Sequence, residues 1–275
     1  MADGVTGGPF EAVVFDLFGT LVPEYTKADF YAAVASAAEV LGADAEAFRA
    51  EWDRTAVARQ TGGFRDLRSN LREICDTLGL NPDDARIDRA LEARETMYRA
   101  GFHPRAGALK TLAELRARGY PIALVSMCAP DIPDRWRALT LSPFVDVTVF
   151  SSETGLRKPD PAIYLAATDA LRVAPGSCVY CGDGAYGELT GAAAVGMTPF
   201  LIRDPSLDHA ILLTPQRDAW DGPVIGDLRE LLALLPARVG SGVGSRPKIE
   251  PLGHSSQGDR SRPNLQRPLP PSRLA

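Results

Sequence analysis

Four polar residues, Asp16, Ser126, Lys158 and Asp183, each stand at the end of an apolar run or in the loop just beyond one. Asp16 closes "AVVFD" (12–16) and Ser126 falls near the end of "PIALVSM" (121–127). Lys158 follows "VDVTVFSS" (145–152) in the loop "GLRKPDP", and Asp183 closes "SCVYCGD" (177–183). Taken singly, each has an ordinary reading: a turn-capping acid, a strand-ending serine, a solvated loop cation, an Asp-Gly turn. Taken together, they bring two carboxylates, a hydroxyl and an ammonium to one edge of a sheet. Such a set suits phosphoryl chemistry. A carboxylate nucleophile splits one hard displacement into two easier ones. Nucleophile and phosphoester are both anionic, so a cation held by oxygen ligands must cancel their repulsion.

The elements that would position these groups are legible in outline. A fifth apolar run, "MTPFLI" (197–202), completes the series. Helical patterns lie between the later runs. "GALKTLAELRARG" carries Leu109, Leu112 and Leu115 and ends at Gly119; "DPAIYLAATDALR" opens with Asp160 as N-cap and Pro161 at the first helical position; "ELTGAAAVG" closes at Gly196. Apolar strands alternating with helices imply an α/β fold whose parallel sheet is covered on both faces. Ligands of such sheets bind at the carboxyl ends of the strands. Residues 24–102 break the rhythm, with helical stretches near 26–41, 44–60, 64–79 and 82–100 and turns at Gly42-Ala43-Asp44, Gly62-Gly63 and Asn81-Pro82. The expected organisation is a core of residues 1–22 and 103–238, a helical bundle of residues 23–102 inserted after the first strand, and a tail of residues 239–275. An inserted bundle in that place can cover an active site or be purely structural.

Composition bounds the function classes. The 275-residue chain is 45% apolar and 24% charged with a net charge of −5, ordinary values for a globular enzyme. Nucleic-acid and membrane partners are not expected, and no apolar run is long enough to span a bilayer. "MADGVTGGPFEA" lacks a basic region followed by an apolar one, so a cytoplasmic protein, monomer or homodimer, is the expectation. Of the four cysteines, Cys178 and Cys181 form a C-x-x-C, but residues three apart on a strand point to opposite faces, which favours reduced packing cysteines over a metal or redox pair. His103, His209 and His254 are far apart in sequence. The tail carries Arg246, Lys248, Arg260, Arg262, Arg267 and Arg273 against Glu250 and Asp259, giving +4 on a body of −9. Its Gly, Ser and Pro content reads as a solvated, disordered extension.

The order and spacing of the four motifs resemble those of the haloacid-dehalogenase-like hydrolase superfamily. "FDLFGTLV" is similar to its first motif, Ser126 to its second, "GLRKPDPAIY" to its third and "GDGAYGEL" to its fourth; the resemblance covers residues 11–235. It implies a Rossmannoid core with a helical cap inserted between the first two motifs. It implies Asp16 as nucleophile, with Mg²⁺ held by the Asp16 side chain, the Phe18 backbone carbonyl and Asp183, and by Glu188 through water. Lys158 would neutralise the nucleophile and the phosphoryl oxygens, Ser126 would hydrogen-bond the phosphoryl, and Gly19 and Thr20 would shape the turn that closes on the ligand.

Phe18 departs from the phosphatase pattern, in which the residue two after the nucleophile is usually an Asp that protonates the leaving oxygen. The metal loses nothing, because that position supplies only a carbonyl, but general acid–base catalysis worth ~10²–10⁴-fold would be absent. Three readings follow. The substrate is a phosphate with a good leaving group, or another group supplies the acid; the reaction is displacement of halide from a 2-haloacid, whose enzymes carry an aromatic at this position; or the chain binds without catalysis. The dehalogenases resemble a Ser-Ser-Asn pattern at the fourth motif and use no metal, whereas this chain has Gly182-Asp183 with Glu188 beyond. That favours a Mg²⁺-dependent phosphohydrolase acting on a small phosphorylated metabolite. Substrate choice would fall to the bundle and to "PEYTK". Arg65, Arg68 and Arg72 at helical spacing, or Arg59, are candidates for an anionic substrate tail, weighed against a solvated basic face. Met127 and Cys128 would give an apolar wall, and Trp52 and Phe64 would pack the bundle.

Overall fold

A computed structural model describes residues 10–203, 212–213 and 218–238 of the chain. Six strands form one parallel sheet: β1 (Ala12–Phe15), β2 (Ile122–Ser126), β3 (Val147–Phe150), β4 (Cys178–Gly182), β5 (Thr198–Ile202) and β6 (Val224–Ile225). Their order is β3-β2-β1-β4-β5-β6. The chain therefore builds outward from β1 in one direction and from β4 in the other. The carboxyl ends of β1 and β4 flank the point where the winding reverses, which is where open α/β sheets take their ligands.

Five helices separate β1 from the rest of the sheet: α1 (Lys27–Leu41), α2 (Ala45–Arg54), α3 (Ala56–Gln60), α4 (Leu67–Thr77) and α5 (Asp84–Gly101). Six more accompany the sheet: α6 (Ala108–Ala117), α7 (Ile132–Ala138), α8 (Ser151–Thr154), α9 (Pro161–Leu171), α10 (Glu188–Ala194) and α11 (Leu231–Leu234).

Strand alternation divides the core in two. Val13 and Phe15 of β1 point into a cluster with Leu112 and Leu115 of α6 and Trp136 of α7. Ala12 and Val14 point the other way, against Ile163 and Tyr164 of α9 and Leu189 of α10. With both faces covered, the strands can be apolar throughout, as the sequence runs require. Cys178 and Cys181 fall on opposite sides of this division, and all four cysteines are buried free thiols. A third cluster, built from Phe48, Trp52, Leu71, Ile74 and Ile87 among others, belongs to the inserted helices.

Local signals account for most boundaries. Thr26 caps α1 through Asp29 N–H, Asp66 caps α4 in a capping box, and Asp160 caps α9 with Pro161 at its first position. Three sequence readings need correction. The stretch 44–60 is two helices, because Thr55 turns its hydroxyl back onto the carbonyls of Glu51 and Trp52 and ends the first. "VDVTVFSS" is a strand only to Phe150, Ser151 onward being a helical turn. On α6, Leu112 and Leu115 are buried with Ala108, while Leu109 is 43% exposed: three-residue spacing drifts off a 3.6-residue face. Strand β6, two residues long, is too short to leave a pattern. Among the described residues, no helix is long and apolar enough to cross a membrane. Residues 239–275, His209 and His254 lie outside the described residues.

Candidate active site

Asp16 follows β1 directly, and its backbone N–H donates to the Cys181 carbonyl at 2.9 Å, so the β1–β4 ladder fixes where its side chain emerges. Ser126 ends β2, Asp183 follows β4, and Lys158 stands in the loop after α8. All four meet at the carboxyl edge, each less than one-tenth exposed, together with the fully buried Glu188 of α10. Lys158 Nζ donates to Asp16 Oδ1 at 2.5 Å and to Glu188 Oε2 at 2.6 Å. Glu188 also accepts from the Tyr180 hydroxyl at 2.8 Å and the Gly184 N–H at 2.8 Å. Its own carbonyl takes the Tyr164 hydroxyl at 3.0 Å. Glu188 is thus clamped from three sides and holds the ammonium that faces Asp16.

The charges are uneven. Asp16, Asp183 and Glu188 each offer a carboxylate oxygen, and these atoms lie within 4.8 Å of one another with a single ammonium between two of the acids. Burial first, then the Glu188 carboxylate, push the Asp16 carboxyl up to about 7 against the pull of Lys158. For Lys158, burial works against the charge, but Asp16 and Glu188 outweigh it and the ammonium is raised well above its ordinary value. Burial and Glu188 push the Tyr180 phenol well above its usual range, which keeps it a hydrogen-bond donor to that carboxylate. An all-oxygen set with more acid than base fits a hard divalent cation.

Two glycines make this convergence possible. Gly19 has φ +76°, and a Cβ there would come 2.0 Å from Asp183 Oδ2. At Gly182 a Cβ would meet Glu188 Oε1 at 2.2 Å. Gly19→Ala therefore forces both a left-handed alanine and a shift of Asp183. The expected result is a loss of about 1–3 kcal/mol in stability together with a fall in kcat. Thermal melting and initial rates check it, and a variant unchanged in both would show that Asp183 needs no such close approach.

The remaining candidates divide. Ser126 Oγ and Thr20 Oγ1 are buried with no hydrogen-bond partner among the described residues. An unpaired buried hydroxyl costs about 1–3 kcal/mol, so Ser126 Oγ is an unmet polar group at the carboxyl end of β2. A cavity of about 120 Å³ runs from Asp16 and Asp183 under the inserted helices, with Phe18, Tyr25, Met127 and Cys128 in its wall. Met127 also accepts the Lys158 N–H through Sδ at 3.4 Å. Phe18 packs at 5.9 Å between ring centroids against both Tyr25 and Phe102.

Arg65 does not reach the site. Its side chain is 85% exposed and pairs with Asp66, because its place before α4 turns it to solvent. Arg68 and Arg72 pair with Asp84 and Asp88 on the same outer surface. Trp52 does pack the bundle, but one edge of that core is also cavity wall. Sequence reading missed Tyr164 and Tyr180, which lie in runs that look like plain core, and Arg105, whose Nη1 donates to the Gly19 carbonyl at 2.6 Å. Arg59 and Arg94 are buried charges within an apolar bundle, and of the two only Arg59 is among the sequence candidates.

Comparison with known proteins agrees with the geometry. A family model described as haloacid dehalogenase-like hydrolase matches residues 10–196. The chain is 30% identical over 240 residues to a ribulose-1,5-bisphosphate 5-phosphatase of Halopiger xanaduensis, covering 81% of this chain and 99% of that one. It is 26% identical over 237 residues to an (S)-2-haloacid dehalogenase of a Pseudomonas species, covering 82% and 98%. In fold it is similar to a HAD phosphatase from Thermococcus onnurineus, with a TM-score of 0.58 at 22% identity, covering 82% of this chain and 98% of that one. Phosphatases and dehalogenases both stand among the relatives, so likeness alone does not choose between the two reactions. A sheet wound outward from an aspartate-bearing first strand, a matching family model over two-thirds of the chain and a relative matched along its whole length give one conclusion: this chain belongs to the haloacid dehalogenase-like hydrolases.

Proposed function

We propose that the chain is a Mg²⁺-dependent phosphohydrolase that works through an aspartyl-phosphate on Asp16. One observation carries this reading: three buried carboxylates offer oxygens within 4.8 Å of one another, with a single ammonium paired to two of them. Displacement of halide from carbon asks for no such excess of acid. Asp16, the Phe18 backbone carbonyl and Asp183 would hold the cation, with Glu188 reaching it through water. When bound, Mg²⁺ offsets the charge that nucleophile and phosphoryl group share.

The chain's own residues account for the remaining chemistry. An Asp16 oxygen attacks phosphorus, the phosphorus–oxygen ester bond breaks, and the electron pair leaves with the alcohol oxygen. Lys158, locked by Glu188, faces the attacking carboxylate and stabilises the transferring group as charge moves onto it. Ser126 Oγ, otherwise unpaired, donates to a phosphoryl oxygen. Water then attacks phosphorus, releases phosphate and restores the Asp16 carboxylate.

Phe18 supports a second reading, the 2-haloacid dehalogenase with an aspartyl-ester intermediate. It fills the place of a general acid with an aromatic ring packed on Tyr25 and Phe102, and halide leaves without a proton. A screen of phosphate esters with added Mg²⁺, run beside halide release from 2-haloacids, tests the two. Phosphate release supports the proposal; halide release with no phosphate from any ester overturns it.

For a phosphohydrolase lacking that acid, Phe18→Asp is expected to raise kcat on alkyl phosphates by about 10-fold or more relative to aryl phosphates. Only the poorer leaving group needs the proton. Rates on both classes, compared in a variant whose melting curve remains cooperative, check this. Equal changes on both would assign Phe18 to packing.

A further inference from the structure

Arg59 and Arg94 are buried in the inserted helices, 5% and 2% exposed, and both line the cavity that leads to Asp16. Their guanidinium carbons lie 3.8 Å and 4.2 Å from the centroid of the Trp52 ring. Arg59 Nη1 donates only to neutral acceptors, the Trp52 carbonyl, Thr55 Oγ1 and Asn70 Oδ1, at 3.0, 3.1 and 3.0 Å. Arg94 Nη2 donates to the Tyr98 hydroxyl at 3.2 Å, while its Nε and Nη1 have no hydrogen-bond partner among the described residues.

Glu24 lines the same cavity, and three nearby acids have arginines of their own. Glu95 and Asp131 pair with Arg135, and Asp53 pairs with Arg49. Burial first, then the Arg94 charge, pull the Arg59 guanidinium down to about 9. Two desolvated cations stacked on Trp52, with no ion pair among the described residues, are a costly way to pack a bundle, since apolar side chains of similar volume would do it without the penalty. Arg94 also borders a second cavity with Asp131, whereas of these two cavities Arg59 lines the first alone.

We propose that Arg59 and Arg94 are the recognition end of the active site and hold a carboxylate on the substrate, remote from its phosphoryl group. This rests on the phosphohydrolase reading and narrows it to short phosphomonoesters that bear a carboxylate across a few apolar atoms. A carboxylate fits better than a second phosphate. The cavity is only about 120 Å³, with walls such as Phe30, Met97 and Tyr98, and a monoanion loses less hydration there than a dianion. Guanidinium groups suit the planar carboxylate.

The test compares phosphorylated 4-hydroxybutanoate with its primary amide and with butane-1,4-diol bisphosphate. The wild type should prefer the carboxylate over the amide by about tenfold or more in kcat/KM, chiefly through KM, as expected for a charge-assisted hydrogen bond. Arg94→Gln should bring that ratio close to one, and Arg94→Lys, which keeps the charge, should retain part of it. Equal rates for carboxylate and amide in the wild type, a preference that survives Arg94→Gln, or a bisphosphate preferred over the carboxylate would each overturn the proposal. If Arg94→Gln fails to fold, the Arg94→Lys ratio decides.

Binding separates this from the failure of the phosphohydrolase reading itself. Titrating the protein with butanoate and with butanamide, followed by tryptophan fluorescence, reports on the cavity without any turnover. A saturable change with butanoate alone, weakened in Arg94→Lys, supports the carboxylate site even if no ester is hydrolysed. Identical responses to the two probes overturn it.

Discussion

Asp16→Asn is expected to abolish turnover, by about 10⁴-fold or more in kcat, while leaving the chain folded. The substitution changes one oxygen to an amide nitrogen, which cannot attack phosphorus or carbon, and no second nucleophile stands at the same strand end. The fold should tolerate it because Lys158 keeps its other partner, Glu188, at 2.6 Å. Glu188 keeps the Tyr180 and Gly184 donors. Removing one of three crowded carboxylates even relieves repulsion, since Glu188 is among the groups that push the Asp16 carboxyl up. Initial rates and a thermal melt on the same preparation check both halves. A cooperatively folded Asp16→Asn that keeps most of its activity would end the covalent mechanism in either of its forms.

The two-sided sheet was legible because its strands are apolar at nearly every position, as the strands of a doubly covered parallel sheet are. Residues standing at strand ends were legible for a related reason: an unbroken apolar run makes the single acid that follows "AVVF" or "CVYCG" conspicuous. Asp160-Pro161 announced a helix start through cap chemistry that needs no tertiary context. What stayed hidden depends on contacts between distant segments. Tyr180 sits mid-strand like any core aromatic, and nothing in "CVYCG" says that its hydroxyl meets a glutamate eight residues on. Arg65, Arg68 and Arg72 share a helical spacing, but spacing alone says neither where a helix begins nor which side of it meets solvent: Arg65 precedes α4, and Arg68 and Arg72 lie on its outer side. The charges that do face the cavity, Arg59 and Arg94, lie 35 residues apart on α3 and α5 and meet only through Trp52. Glu188 was expected near the metal on resemblance; the structure adds that it grips Lys158.

Chelation should separate the two reactions most sharply. Under the phosphohydrolase reading, a chelator lowers phosphate release by about 10³-fold or more, and added Mg²⁺ restores it. Asp183→Ala should be as inactive and stay so in excess Mg²⁺, because it removes one of the three carboxylates that would hold the cation, and the other two already share their charge with Lys158. A second readout needs no substrate. A cation that binds only the folded state raises the melting temperature by mass action, so Mg²⁺ should stabilise the wild type and leave Asp183→Ala unmoved. Halide displacement makes a different demand. The reacting carbon of a 2-haloacid carries no phosphoryl charge, so Lys158 and the buried Ser126 hydroxyl could suffice against it. Chelator-resistant halide release, with a melting temperature indifferent to Mg²⁺, would reassign Asp183 to holding the Gly19 turn and make the dehalogenase the function.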